Sequence, residues 1–167
     1  KTRMASRSLC MHGGVAATSG LRWGGGGEFM GSAAPTLMQL EILTLCREAR
    51  YNGQVLDVTG AFDIFMTPRV PLVVPCCWLA GRVRFERIEE GEHQIKIMLI
   101  DADGGLVVPE IIEDLEVKFA GDLPTVCKAF AIQFAQLVLP EHGEYAIKVA
   151  VDRINLASVP LYVLQSK

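Results

Sequence analysis

The stretch 143-GEYAIKVAVDRINLASVPLYVLQ-165 decides the fold. Between residues 145 and 151, every second residue is large and apolar, and the residues between them are small or charged. A period of two is typical of a β-strand with one face on the core. A second apolar run, 156–164, follows the turn residues 152–155, so the spacing predicts a β-hairpin. Pro160 has no backbone N–H, which predicts that the second strand lies at a sheet edge.

The residues that lead into this strand form a corner motif. Glu141, Gly143, Tyr145 and Ile147 follow the order acid, Gly, Tyr, apolar at every second position. In immunoglobulin-like sandwiches, a corner Tyr bonds through its hydroxyl to upstream backbone, and a Cys of the core follows two residues later. Ile147 stands in place of that Cys, which predicts a sandwich that packing alone stabilises. We therefore predict structural roles for Tyr145, Gly143 and Ile147.

The remaining body of the chain has the spacing of an all-β protein, with about eight short apolar runs between turn signals. The runs are 38–46, 54–66, 77–89, 93–100, 113–121, 125–134, 144–152 and 156–164. The segment 125–139 also fits the apolar face of a helix, and we favour a strand because its neighbours are strands. Asn52-Gly53 predicts a two-residue hairpin turn, Gly60 a bulge or kink, and the proline-rich segment 67–75 a connection or an edge.

Residues 1–37 differ in composition from the body. They are basic, show no sustained period and contain four consecutive glycines, 24–27. The apolar run 9–11 is too short for a secretory signal. We predict that this segment is disordered, and it is either upstream read-through, sequence added by cloning, or a targeting segment. The folded domain is predicted to span residues 38–167.

The body from Met38 to Val163 resembles an uncharacterised bacterial family of small immunoglobulin-like β-sandwich proteins, a domain of unknown function. The resemblance rests on NGQVLDVTGAFD (52–63), DADGG (101–105) and GEYAIKVAVD (143–152). It implies the sandwich fold and brings no activity, because each of these motifs is structural. Residues 1–37 lie outside it.

Charge and hydropathy set aside two classes of partner. The chain of 167 residues carries a net charge of −3, and residues 1–37 contribute +3, so the body carries −6. An acidic body argues against nucleic-acid binding, which needs clustered Lys and Arg. No apolar run approaches the roughly 20 residues of a membrane-spanning helix. We predict no nucleic-acid partner, no membrane partner and a cytoplasmic location.

The five cysteines are predicted to be reduced and non-catalytic. Their number is odd and no C-x-x-C motif occurs, although a redox or metal role stays open as the lesser alternative. The five are Cys10, Cys46, Cys76, Cys77 and Cys127.

No metal, cofactor or catalytic site is predicted. In DADGG, the calcium-loop positions 5 and 12 are Gly105 and Ile112, so the motif is a turn. His12, His93 and His142 show no ligand spacing. No G-x-S-x-G motif occurs, and we predict that the protein is not an enzyme.

One basic surface is a possible docking surface. Its residues occupy outward positions that the sequence assigns to neighbouring strands, and they are Arg82, Arg84, Arg87 and Lys96. A solvated face with cross-strand charge pairs is the alternative.

Three functions remain in order of preference. The first is a non-enzymatic structural or protein-interaction module, which could self-associate through an edge strand. The second is a small-ligand-binding sandwich with a cleft near Trp78, Phe62 and the loop 67–71. The third is an enzyme in which a distant His activates Cys76 or Cys77.

Overall fold

The computed structural model describes residues 38–167, and the predicted disorder of residues 1–37 lies outside the described residues. The described residues form nine β-strands, one 3-10 turn at Arg87–Glu89 and no α-helix, which confirms the all-β class. None of them forms a helix of the length and hydropathy needed to cross a membrane. The strands are β1 (Gln39–Tyr51), β2 (Leu56–Phe62), β3 (Ile64–Thr67), β4 (Leu72–Glu86), β5 (Gly91–Ile100), β6 (Ile111–Val117), β7 (Thr125–Leu139), β8 (Gly143–Val151) and β9 (Ile154–Gln165).

The strands form two sheets. The first sheet has the order β2-β1-β4-β7 and the second has the order β3-β9-β8-β5-β6. Neighbouring strands are antiparallel except β3 and β9, which are parallel. Asp63 separates β2 from β3, so the apolar run predicted over 54–66 supplies an edge strand to each sheet. This division explains why the structure has one strand more than the sequence predicts.

Both sheets contribute to one core. Val83 and Phe85 of β4 are buried there with Ile95, Ile97 and Leu99 of β5, the residues that the two-residue period places inward. In both strands, residues two positions apart therefore face the same core.

Segment 125–139 is a strand, and the helical alternative is wrong. β7 covers Thr125–Leu139 and pairs with β4 along its whole length. Phe130 lies opposite Gly81, and a Cβ added at Gly81 would overlap the Phe130 ring. The absence of a side chain at Gly81 thus gives the aromatic ring of the neighbouring strand its place.

The prediction of a connection or an edge over 67–75 is confirmed for 68–71, the loop between β3 and β4, whereas Pro75 lies within β4. The prediction that Pro160 lies in an edge strand is wrong. β4 lies between β1 and β7, and β9 lies between β3 and β8. However, β1 pairs with β4 only from Trp78 onward, and β3 pairs with β9 only from Tyr162 onward. At each proline, the strand therefore has no partner strand on one side. A proline is tolerated there because its missing N–H need not break a hydrogen bond between strands.

The Asn-Gly turn differs from the predicted two-residue form. The loop between β1 and β2 contains four residues, 52–55. Gly53 has a positive φ of 94°, whereas Asn52 is not among the residues with positive φ. Instead, the Asn52 Oδ1 atom accepts hydrogen bonds from the backbone N–H groups of Gln54 and Val55, at 3.0 and 2.8 Å. Asn52 thus closes the loop through its side chain.

Candidate functional site

Tyr145 lies at the beginning of β8, with its ring buried against the core. Its hydroxyl donates to the backbone carbonyl of Glu141 at 2.9 Å and accepts from the backbone N–H of Glu141 at 3.1 Å. Gly143 begins the strand, and Ile147 is fully buried two residues after the ring. This is the geometry that the sequence predicts for a corner residue.

Replacing Tyr145 by Phe is expected to lower the free energy of unfolding by about 1–3 kcal/mol, because both backbone groups of Glu141 lose their partner. Urea denaturation measures the change. Tyr162→Phe is the matched control, since Tyr162 is half-buried on β9 and its hydroxyl makes no hydrogen bond within residues 38–167. An equal loss in both variants would contradict a special role for the Tyr145 hydroxyl.

The four basic residues predicted as one docking surface do not form one. Arg82 and Arg84 lie on β4 in the first sheet, whereas Lys96 lies on β5 in the second. Lys96 pairs with Glu110 at 2.8 Å, and Arg87 donates to the Gly121 carbonyl from the 3-10 turn. The prediction that they occupy neighbouring strands was wrong, because consecutive strands at this point belong to different sheets.

Arg82 and Arg84 instead belong to a charge cluster on the outer face of the first sheet. The Glu41 carboxylate lies 2.9 Å from Arg82 Nε and 2.5 Å from Arg84 Nε, and the Cys127 thiol contacts it at 3.5 Å. Burial opposes ionisation of Glu41, but the hydrogen bond and charge of Arg84, the hydrogen bond of Cys127 and the charge of Arg82 together outweigh it and lower the pKa of that carboxyl. The Glu41 carboxylate forms an ion pair with both arginines and so ties β1 to β4, although the buried Arg82 Nε atom makes no well-aligned hydrogen bond within the described residues.

Two of the four cysteines within residues 38–167, Cys46 and Cys77, lie in surroundings that disfavour the nucleophilic thiolate. Burial raises the pKa of Cys46 and raises that of Cys77 to about 11, so both remain protonated at neutral pH. Cys76 is exposed and accepts a hydrogen bond from Gln133 Nε2 at 3.0 Å. Within residues 38–167, no His is hydrogen-bonded to a thiol. The geometry needed for the cysteine-dependent enzyme is therefore missing from the described part of the chain.

His93 of β5 links the 3-10 turn to the turn between β8 and β9. Its Nδ1 lies 2.6 Å from Asp152 Oδ2, and its Nε2 lies 2.7 Å from the Glu89 carbonyl. Burial opposes protonation of the ring, but the Glu89 carbonyl and the Asp152 carboxylate outweigh it, so the pKa of His93 is raised. Both partners are acceptors, and only the protonated imidazole can donate to both.

His93 and His142 do not form a metal site with their neighbours, and His12 lies outside the described residues. His142 Nε2 lies 3.2 Å from the Thr67 carbonyl. His142 directly precedes β8, whereas Asp152, the partner of His93, directly follows it, so the two histidines lie near opposite ends of that strand. Among residues 38–167, no three His, Cys, Asp or Glu side chains are grouped so that they could hold a metal ion.

Lys128 is a buried cation on the inner face of β7. In the sheet register, Lys128 lies opposite the core residue Val83 of β4. Lys128 is 3% exposed, and its Nζ atom has no hydrogen-bond partner among the described residues. Burial lowers the pKa of Lys128, and the charge of Glu116 only partly offsets this effect. An unpaired buried amine costs stability.

An open pocket of about 390 Å³ lies where the chain crosses from the first sheet to the second. Its lining residues are Arg47, Gly60, Ala61, Phe62, Phe65, Val74, Cys76 and Cys77. Of the residues predicted to form a cleft, only Phe62 lines it. Trp78 lies elsewhere, in a small cluster with Cys46 and Ala80.

An apolar surface covers the β3 end of the second sheet. Ile64 and Met66 of β3 are 45% and 61% exposed, and Leu164 of β9 is 42% exposed. Met66 and Leu164 are directly paired across the two parallel strands. We call these three residues the β3 patch.

A family model described as "Family of unknown function (DUF6941)" matches residues 41–164. The chain belongs to this family. The match confirms the predicted membership of an uncharacterised domain family and covers nearly all of the described residues. The search of curated proteins found no match.

Two solved structures are similar at low identity. One is the Pseudomonas fluorescens alkylpurine DNA glycosylase AlkC bound to DNA containing an abasic site analog, with 8% identity and a TM-score of 0.41. The alignment covers 77% of this chain and 30% of that chain, so this chain spans less than a third of the glycosylase. The other is the C-terminal domain of wzt, with 12% identity, a TM-score of 0.40, and coverage of 78% and 75%.

Sequence reasoning missed Lys128 and the β3 patch. A signal for Lys128 was present, because a two-residue period through Phe130, Ile132 and Phe134 places Lys128 on the same apolar face. The β3 patch carried no comparable signal, since its exposure depends on the parallel pairing of β3 with β9.

Proposed function

We propose that this chain is a non-enzymatic interaction module that associates with a second copy of itself through the free edge of β3. The observation that carries the proposal is the β3 patch on an edge strand without charge. β3 has the sequence Ile-Phe-Met-Thr, and charged residues are a common device by which proteins protect exposed edges from pairing.

The opposite edge of the same sheet contrasts with β3. β6 carries Glu113, Asp114 and Glu116, so two copies of this edge would repel each other. In the first sheet, the edge strand β7 is distorted at Gln136, which has a positive φ of 54°. An uncharged edge is self-complementary, and antiparallel pairing of β3 with β3 would give a twofold dimer with one continuous sheet.

A four-residue strand buries far less than the roughly 1,600 Å² of a standard interface, so we expect a weak dimer. Sedimentation velocity at increasing protein concentration is expected to show reversible dimers with a dissociation constant in the micromolar to millimolar range. This range corresponds to an association free energy of about 4–8 kcal/mol. Met66→Asp is expected to abolish them, because each copy would place a carboxylate in the apolar interface.

Ile112→Asp is the matched control, since Ile112 is 49% exposed on β6 at the other edge of the same sheet. It should leave dimerisation unchanged, and thermal melts should show that both variants fold. A wild-type chain that stays monomeric throughout, or an equal effect of the two substitutions, would sink the proposal.

The same proposal includes an immunoglobulin-like sandwich as the architecture of the module. The Tyr145 hydroxyl at the start of β8, bonded to backbone four residues upstream, supports it, as does the core shared by two sheets. A cytoplasmic location fits the free thiols Cys46, Cys76 and Cys77.

A further inference from the structure

The open pocket between β2, β3 and β4 has an apolar wall. The Phe62 and Phe65 rings lie 4.8 Å apart at an angle of 54°, and Val74 and Cys77 continue the wall into the core. The pocket has a volume of about 390 Å³ and is open to solvent, so a small ligand would contact this wall on one side. The apolar part of a ligand can therefore pack against this wall without any rearrangement of the main core.

A cation without a partner stands at the same pocket. Of the arginines on β1 and β4, Arg50 pairs with Glu48, and both Arg82 and Arg84 pair with Glu41. Arg47 lines the pocket, and within residues 38–167 no carboxylate and no hydrogen-bond acceptor contacts its guanidinium. A guanidinium without an acceptor can donate two parallel N–H hydrogen bonds to a carboxylate.

Gly60 gives Arg47 its place over the pocket. Gly60 has a φ of +66°, and a Cβ at this position would overlap the Arg47 guanidinium. The missing side chain lets Arg47 lie across β2, beside Ala61 and Phe62. The cation and the apolar wall thus face the same space.

We infer that this pocket binds a small apolar carboxylate, an aliphatic or aromatic acid whose head pairs with Arg47 and whose tail contacts Phe62 and Phe65. The charge of Arg47 favours an anion over a neutral molecule. The apolar wall favours an acid with an apolar tail over a hydrophilic acid. The inference is independent of self-association, because it uses the inward side chain of β3 rather than the β3 patch.

Octanoate and octanol form a matched pair of probes, with the same chain and different heads. In ¹H–¹⁵N NMR titrations, octanoate is expected to shift the amides of Gly60, Ala61 and Cys76. It should bind about tenfold tighter than octanol or more, the ratio expected of a charge-assisted pair. Arg47→Gln should remove this difference.

Arg50→Gln is the control, because Arg50 is exposed on the same strand and pairs outside the pocket with Glu48. Cys76 supplies an independent readout, since octanoate should slow its alkylation by iodoacetamide, followed at that residue by mass spectrometry. The inference is overturned if octanoate shifts none of the three amides, if octanol binds equally well, or if Arg50→Gln weakens binding as much as Arg47→Gln.

Discussion

Ile147→Ala is expected to lower the free energy of unfolding by about 2–5 kcal/mol, because it opens a cavity in the core that both sheets share. Ile147 is 1% exposed and lies between Leu99 of β5 and Val159 of β9. Denaturant melts measure the loss directly.

Lys148→Ala supplies the register control for this experiment. Lys148 is the next residue of β8, points to the opposite face and is only half-buried, so its replacement should change stability by no more than about 0.5 kcal/mol. A one-residue slip of the strand would exchange the two faces. If Lys148→Ala cost as much as Ile147→Ala, β8 would not have the half-buried register of the structure.

Lys128→Met is expected to raise the free energy of unfolding by about 1–4 kcal/mol, the range seen when apolar side chains replace buried charges. Met has an unbranched chain of similar length, so it can occupy the same volume beside Val83. Lys118→Met is the control, because Lys118 is 63% exposed and pairs with Glu116 at the surface. It should stay within about 0.5 kcal/mol of wild type.

The pH dependence gives Lys128 a second test. Its pKa in the folded protein is lowered from the ordinary 10.5, so the unfolded chain binds the proton more readily. At a pH below the pKa of Lys128 in the folded protein, the cost of burying the charge is fully present. The free energy of unfolding should rise as the pH increases from that pKa towards 10.5, the ordinary value in the unfolded chain. Lys128→Met should remove that rise. A wild-type stability that is flat over this window, or an unchanged slope in the variant, would contradict a buried and unpaired amine.

Short-range features of this protein could be read from the sequence. The two-residue period places Ile147 inward, and the Tyr145 hydroxyl meets backbone only four residues away. Both depend on neighbours within a few positions along the chain, so the sequence itself specifies them. The turn between β8 and β9 is different: the sequence predicts turn residues 152–155, but the turn is Asp152-Arg153, and Asp152 is hydrogen-bonded to Gln94 of β5.

Only the tertiary structure decided which strands are neighbours. Arg82 and Lys96 belong to consecutive strands, yet the chain changes sheet between them and separates their surfaces. The exposed side of β3, the space around Arg47 and the single unpaired flank of Pro160 likewise depend on residues far away in sequence. Periodicity fixes the face on which a side chain lies, but burial and pairing depend on the packing of segments whose contacts carry no local pattern.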